Sequence, residues 1–303
     1  MSHAFQLDHD IRVDPTQLLA LTDQTWTLPV TISDRWQVIV GPNGGYLGAL
    51  LLGCIKTLPI QSNQTVRSVA LSFISPSVPG PASMSMRCVK AGRTTSMYTA
   101  ELIQNDRTIA MANAHFAAKR LDAAFCDQVM PDVSPASQIA PTDWQQTDSK
   151  FAVPFRQHFD QRIAIGPTPG TRDGSGRIGG WMRFMDCRPL DDIGLLAMSD
   201  AWYPSIISRH LDYDVHVPTI DHTVHFLQND FSTVPDDAYT LFEFSTELAQ
   251  DGYLVENGRM FSSSGALIAV SRQMAAMVQF EPGAPAAKQI ARGETESRHR
   301  ALR

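Results

Sequence analysis

Apolar residues recur along this chain in two rhythms, and period two dominates. In the first half Trp26, Leu28, Val30 and Ile32 alternate with polar partners. Four further runs read as strands, over residues 66–75, 82–90, 96–105 and 108–119. Turn residues separate them: Pro76, Pro79 and Gly80, then Ala91, Gly92 and Arg93, then Asn105 and Asp106. Before this meander stands GPNGGYLGALLLGCIKTLPI, where a glycine-rich turn opens a helix at about Gly44 and Pro59 ends it. A helix apolar nearly all round should be buried. The second half repeats the order: a strand over 181–187, a helix over 191–203, then strands over 217–226, 240–249, 253–262 and 266–280. Phe73 corresponds to Phe226, and AHFAA ending at Ala118 to RQMAA ending at Ala276.

A central helix followed by an antiparallel meander, twice, predicts an α+β fold with a sheet wrapped around a helix in each half. Either half alone leaves a sheet edge and part of its helix bare, and pairing the two covers both. The expected units are 1–120 and 151–281. A linker rich in Pro, Ser, Asp and Gln joins them over 121–150, and 282–303 is expected to be a mobile tail. Residues 166–180, with six glycines and two prolines, read as the loop of a long hairpin rather than a lid.

Polar residues in step with apolar ones are the candidates for chemistry. Asp200 falls seven after Ile193 and four after Leu196, on the apolar face of the predicted helix. A carboxylate there is costly unless it is paired or used. Thr219 stands near the start of the strand in which Ile220, Val224 and Phe226 recur, on the opposite face. Gln273 alternates in step with Leu267, Ala269 and Met277. The three are expected to meet at one site. The blander readings are an Asp200 that simply caps or pairs with an arginine, a Thr219 on the solvent side of its strand, and a Gln273 that is a satisfied core amide. His222 and His225, three apart on a strand, face opposite ways, so no metal is expected.

Composition narrows the partners. The 303 residues are 43% hydrophobic and 18% charged, with net charge −6 and no basic block. That argues against nucleic acid or an anionic membrane as the partner. The longest apolar run, 45–55, is too short to span a bilayer. The start MSHAFQLDHDIR lacks an apolar signal region, and the four scattered cysteines read as reduced thiols. The expected compartment is the cytoplasm, since the final Ala-Leu-Arg fits a peroxisomal address poorly. No phosphate loop and no G-x-S-x-G elbow is present. Arg67, Lys90 and Arg93 read as solvated surface.

Six strings then stand in a telling order: NGGYLGALLL from Asn43, VRSVALSFISPSVPG from Val66, the Ala91–Gly92–Arg93 turn, MSD ending at Asp200, TIDH from Thr219, and the Gln273 strand after Gly265. Together they resemble the acyl-CoA thioesterase II family, the tandem double-hotdog thioesterases, over roughly residues 25–120 and 178–280. The resemblance implies a double hotdog, two antiparallel sheets each wrapped around a central helix and joined in one chain. It implies hydrolysis of acyl-CoA or another acyl thioester without a cofactor, in lipid metabolism, with self-association left open. The family's Asp, Thr or Ser, and Gln fall by position on Asp200, Thr219 and Gln273. Substrate contacts are expected at Gly44, Gly45 and Tyr46. Met274 and Ala275 depart from the more usual Glu-Gly after the glutamine.

A thioester carbonyl is already electrophilic, so a water held and deprotonated suffices. Asp200 is the expected base, with Thr219 and Gln273 fixing the water. The N–H groups of Gly44 and Gly45 are placed to polarise the carbonyl as an oxyanion hole does. Carried onto the first half, Gln273 falls on His115 and Thr219 on Val66, which predicts one working site per chain. A rival from another class stays open: a double-hotdog protein that binds an acyl or polyketide-like chain without hydrolysing it, as a cyclase, isomerase, dehydratase or carrier.

Overall fold

Alternation becomes sheet throughout. The structure, a computed structural model, describes residues 5–121, 125–147, 152–211, 215–228, 230–232, 234–235 and 237–279. The expected tail, 282–303, lies outside them. The first half runs α1 (Gln6–Asp10), β1 (Leu19–Thr22), β2 (Thr25–Ile32), α2 (Gly44–Ile55), β3 (Gln64–Phe73), β4 (Gly80–Ala91), β5 (Thr95–Gln104) and β6 (Arg107–Ala118). The second runs β7 (Phe159–Ile165), β8 (Arg177–Phe184), α3 (Asp192–Met198), β9 (Val215–His216), β10 (Thr219–Phe226), β11 (Thr240–Gln250), β12 (Tyr253–Phe261), β13 (Leu267–Ala276) and β14 (Val278–Gln279). β7 and β8 pair antiparallel, so residues 166–176 of the glycine-rich run form the loop of a hairpin, while 177–180, expected as loop, already belong to β8.

Two sheets were the expectation, and here the structure corrects it. Twelve strands form one sheet in the order β1-β2-β4-β5-β6-β3-β10-β13-β12-β11-β8-β7. The halves fuse because β3 and β10, each at the edge of its own meander, pair with one another from Asp221↔Ser72 to His225↔Ser68. Unpaired N–H and C=O groups at two edges are satisfied in one step.

α2 packs on β3 to β6 and against α3. Leu50, Leu51, Leu52 and Ile55 are almost wholly buried, each contributing roughly 1.5–3 kcal/mol relative to exposure. The α2–α3 contact is close because Gly45 brings no side chain to it. A Cβ there would stand 2.3 Å from the Ala197 carbonyl oxygen.

α3 is shorter than its sequence pattern predicts. It ends at Met198, where Ser199 Oγ bonds back to the Leu196 carbonyl at 2.8 Å. Asp200 therefore sits in the turn after the helix, level with the amino end of α2.

Candidate active site

Three strands carry a row of polar side chains on the inner face of the sheet. His222 of β10 lies opposite Gln273 of β13, and Gln273 lies opposite Glu256 of β12. Directly opposed residues of antiparallel strands share a face. The chain from Ser199 to Ser205 crosses above this row and bonds to it at both ends. Ser199 Oγ lies 2.7 Å from His222 Nε2, and the Ser205 N–H gives 2.6 Å to Glu256 Oε2. Asp200 lies on that crossing segment.

Thr219 joins the row through an irregularity that period two does not reveal. The register steps from Thr219↔Ala275 to Asp221↔Met274, so Ile220 is an extra residue, a β-bulge. The bulge turns Thr219 to the side of Ala275, Gln273 and His222, not to the side of Thr223 and His225. Ile220, read from the sequence as part of the apolar face, is pushed outward and exposed. Thr219 Oγ1 then donates to Gln273 Oε1 over 3.4 Å.

Asp200, Thr219 and Gln273 all line one cavity of about 740 Å³. Val38, Leu47, Phe73, Phe155, Trp202 and Ile207 give it an apolar wall. The Asp200 carboxylate faces the amino end of α2. Its Oδ2 accepts from the Gly45 N–H at 3.0 Å and from Asn43 Nδ2 at 3.1 Å, while Asn43 Nδ2 also reaches the Asp200 carbonyl at 2.8 Å. Asn43 caps the same helix by accepting from the Tyr46 N–H. A Cβ at Gly44 would meet Asp200 Oδ2 at 2.8 Å, so the missing side chain admits the carboxylate to the helix end.

Burial dominates the electrostatics of Asp200. Desolvation pushes its carboxyl up to about 7, and the negative field of Glu256 adds to the rise. Hydrogen bonds from Gly45, Gly44 and Asn43 oppose it without winning. Glu256 is raised as well, again by burial first. His222 is pushed down to about 4 by burial and is neutral. Since Ser199 Oγ donates to Leu196, it accepts from His222 Nε2–H, which fixes the tautomer. His222 thereby ties β10 to the residue next to Asp200.

Of the expected substrate contacts, Gly44 lines the cavity. Gly45 is set against α3 with its N–H given to Asp200. Tyr46 is turned away: its hydroxyl accepts from the Ser33 N–H and donates to the Asp10 carbonyl. Arg67, Lys90 and Arg93 do not line the cavity, whereas the exposed Arg107 does. Asn43, Glu256 and Ser205 were not singled out from the sequence. A signal for Glu256 existed, because it falls in phase with the buried Leu254 and Met260.

A family model described as the acyl-CoA thioesterase N-terminal domain matches residues 32–117, and one described as the acyl-CoA thioesterase C-terminal domain matches residues 131–277. No curated protein matches the chain significantly. Among solved structures, a hot-dog-fold protein of unknown function from Alicyclobacillus acidocaldarius superposes with a TM-score of 0.78 at 22% identity, covering 92% of this chain and 99% of that one. A putative thioesterase II from Thermobifida fusca gives 0.72 at 21% identity, with coverage of 92% and 99%. An acyl-CoA thioesterase II, TesB2, from Mycobacterium marinum gives 0.65 at 18%, with coverage of 91% and 99%. At these identities the structural likenesses establish the hotdog fold.

Proposed function

The chain belongs to the acyl-CoA thioesterase family and is a thioester hydrolase, and from that premise we propose that Asp200, Thr219 and Gln273 activate the attacking water, with an acyl-CoA as substrate. The observation that carries the proposal is their place on one apolar-walled cavity, with the carboxyl of Asp200 lifted to about 7. A base so placed is about half ionised at neutral pH and holds a proton well. The acyl chain lies along the apolar wall, and the carbonyl sits at the amino end of α2 beside Gly44. Water adds to the carbonyl carbon as Asp200 takes its proton. The tetrahedral intermediate then expels the thiolate, which recovers that proton from Asp200, leaving a carboxylic acid and a free thiol.

Units 1–120 and 151–281, joined by 121–150, each supply part of the site: the first gives the α2 amino end and the second gives the three side chains. One site works per chain. At the far end of the helix pair Lys56 and Asp192 form an ion pair at 2.7 Å, and His115 is exposed.

Thiol release tests the function. Saturated acyl-CoAs of several chain lengths are incubated with the protein and a thiol reagent, and turnover is expected on at least one. No turnover on any of them defeats the reading. Arg107, exposed on the rim of the cavity, is positioned for a phosphate of the carrier. Arg107→Ala is expected to raise KM about 3- to 5-fold with kcat little changed, as for an exposed ion pair. The salt dependence of KM should weaken with it.

A further inference from the structure

The hydrogen bonds from Glu256 to Thr219 in the inner row run in one direction, and Glu256 sets it. Glu256 is buried, and both of its oxygens are taken by donors. Oε2 accepts from the Ser205 N–H and from Ser205 Oγ, and Oε1 accepts from Gln273 Nε2 at 2.7 Å. Thr246 Oγ1, 2.7 Å from Ser205 Oγ, completes the chain behind it. With both oxygens of Glu256 accepting, the amide of Gln273 turns its nitrogen toward it. Its oxygen is then left for Thr219, which has to donate to it. A hydroxyl that has spent its proton can only accept from a further partner.

We propose that Glu256 is a positioning residue that fixes the polarity of the Gln273–Thr219 chain, so that the attacking water is held by two acceptors, Asp200 and Thr219. Both water hydrogens are then occupied, which leaves the oxygen lone pairs free and one of them directed at the acyl carbon. This rests on the proposed hydrolytic site and deepens it. Glu256 does not touch the substrate: it is not among the residues lining the cavity. Its side chain also acts on Asp200 through space. Glu256 from β12 is the charged group whose field reaches Asp200. β10 offers the neutral His222, and α2 offers only Asn43, Gly44 and Gly45.

Glu256→Gln is nearly isosteric but reverses the chain. Its single oxygen stays with Ser205, its NH₂ faces Gln273, and that amide must rotate to present its oxygen. Thr219 then accepts from Gln273 and donates to the water. The expected result is a kcat lower by roughly 10- to 100-fold, the worth of a hydrogen bond to a charged group, with KM little changed. The acid limb of kcat/KM should move to lower pH, a shift that looser packing would not produce. In a Gln273→Ala background the same substitution should cost less than about twofold, because the residue it acts through is gone. Glu256→Asp keeps an acceptor-only carboxylate and should retain more activity than the amide variant.

A Glu256→Gln protein that is as active as the parent, while Gln273→Ala is impaired, overturns this inference and leaves the hydrolytic site standing. An unimpaired Gln273→Ala protein strikes at the site itself. Should Glu256→Gln not fold, ¹⁵N-glutamine labelling of the unaltered protein decides the matter. The Gln273 side-chain amide, assigned by its loss in Gln273→Ala, is expected to exchange slowly with solvent. Fast exchange there overturns the inference.

Discussion

Asp200→Asn is expected to lower kcat on an acyl thioester by about 10²- to 10⁴-fold, the usual contribution of a positioned general base, and to make the protein more stable at pH 8. Both effects have one cause. The asparagine oxygen can keep the hydrogen bonds from Gly45 and Asn43, so the geometry survives while the proton acceptor is lost. The stability gain follows from linkage. The folded-state carboxyl is raised from 3.8 to about 7, so the native state holds the proton more tightly than the unfolded chain. Stability of the parent protein therefore falls as pH rises from about 4 to about 7 and stays low above that. A shift of that size corresponds to at most about 4 kcal/mol, which asparagine does not forfeit at any pH. The gain in melting temperature should be several degrees at pH 8 and should vanish toward pH 4. A variant that loses activity without gaining stability at pH 8 would mean that Asp200 is not held ionised against burial.

Gly45→Ala carries the second large effect, on the fold and the site together. Its Cβ would stand 2.3 Å from Ala197 O, a backbone atom that no rotamer change can move. α2 and α3 must therefore separate. Overpacking of this kind costs roughly 1–3 kcal/mol, read as a drop of several degrees in melting temperature. The displaced segment carries Asp200, and Gly45 supplies one of its hydrogen bonds. A shift on the order of 1 Å at a catalytic group can cost 100-fold in rate, so kcat should fall by about that much. An alanine variant with unchanged melting and rate would show that the helix contact is looser than described.

Much of this molecule is legible in its sequence, for reasons particular residues make plain. The strands of both meanders appear because one face is buried and the other is not, as in Ser96, Tyr98, Ala100 and Leu102 of β5 against their half-buried neighbours. α2 appears because ten of its twelve residues are buried and it is apolar all round. Asp200 stands out as an acid among apolar residues. What escapes is long-range or irregular. No pattern within β3 or β10 states that they pair, so the single sheet was read as two. A bulge is one residue of extra length, and it reverses the face of Thr219 without changing the composition. The end of α3 at Met198 depends on the Ser199 side chain turning back to Leu196, a local bond that competes with helical continuation. The roles of Asn43 and Ser205 depend on residues about 157 and 51 positions away.

The pH dependence of kcat/KM for hydrolysis of an acyl-CoA tests the central claim most directly, because it reports the base in the free enzyme. The rate constant is expected to rise tenfold per pH unit below about 7, where Asp200 is protonated, and to level off above it. A profile that is flat from pH 5 to 9, or whose limb lies near the ordinary carboxylate value, would contradict a buried Asp200 acting as the base.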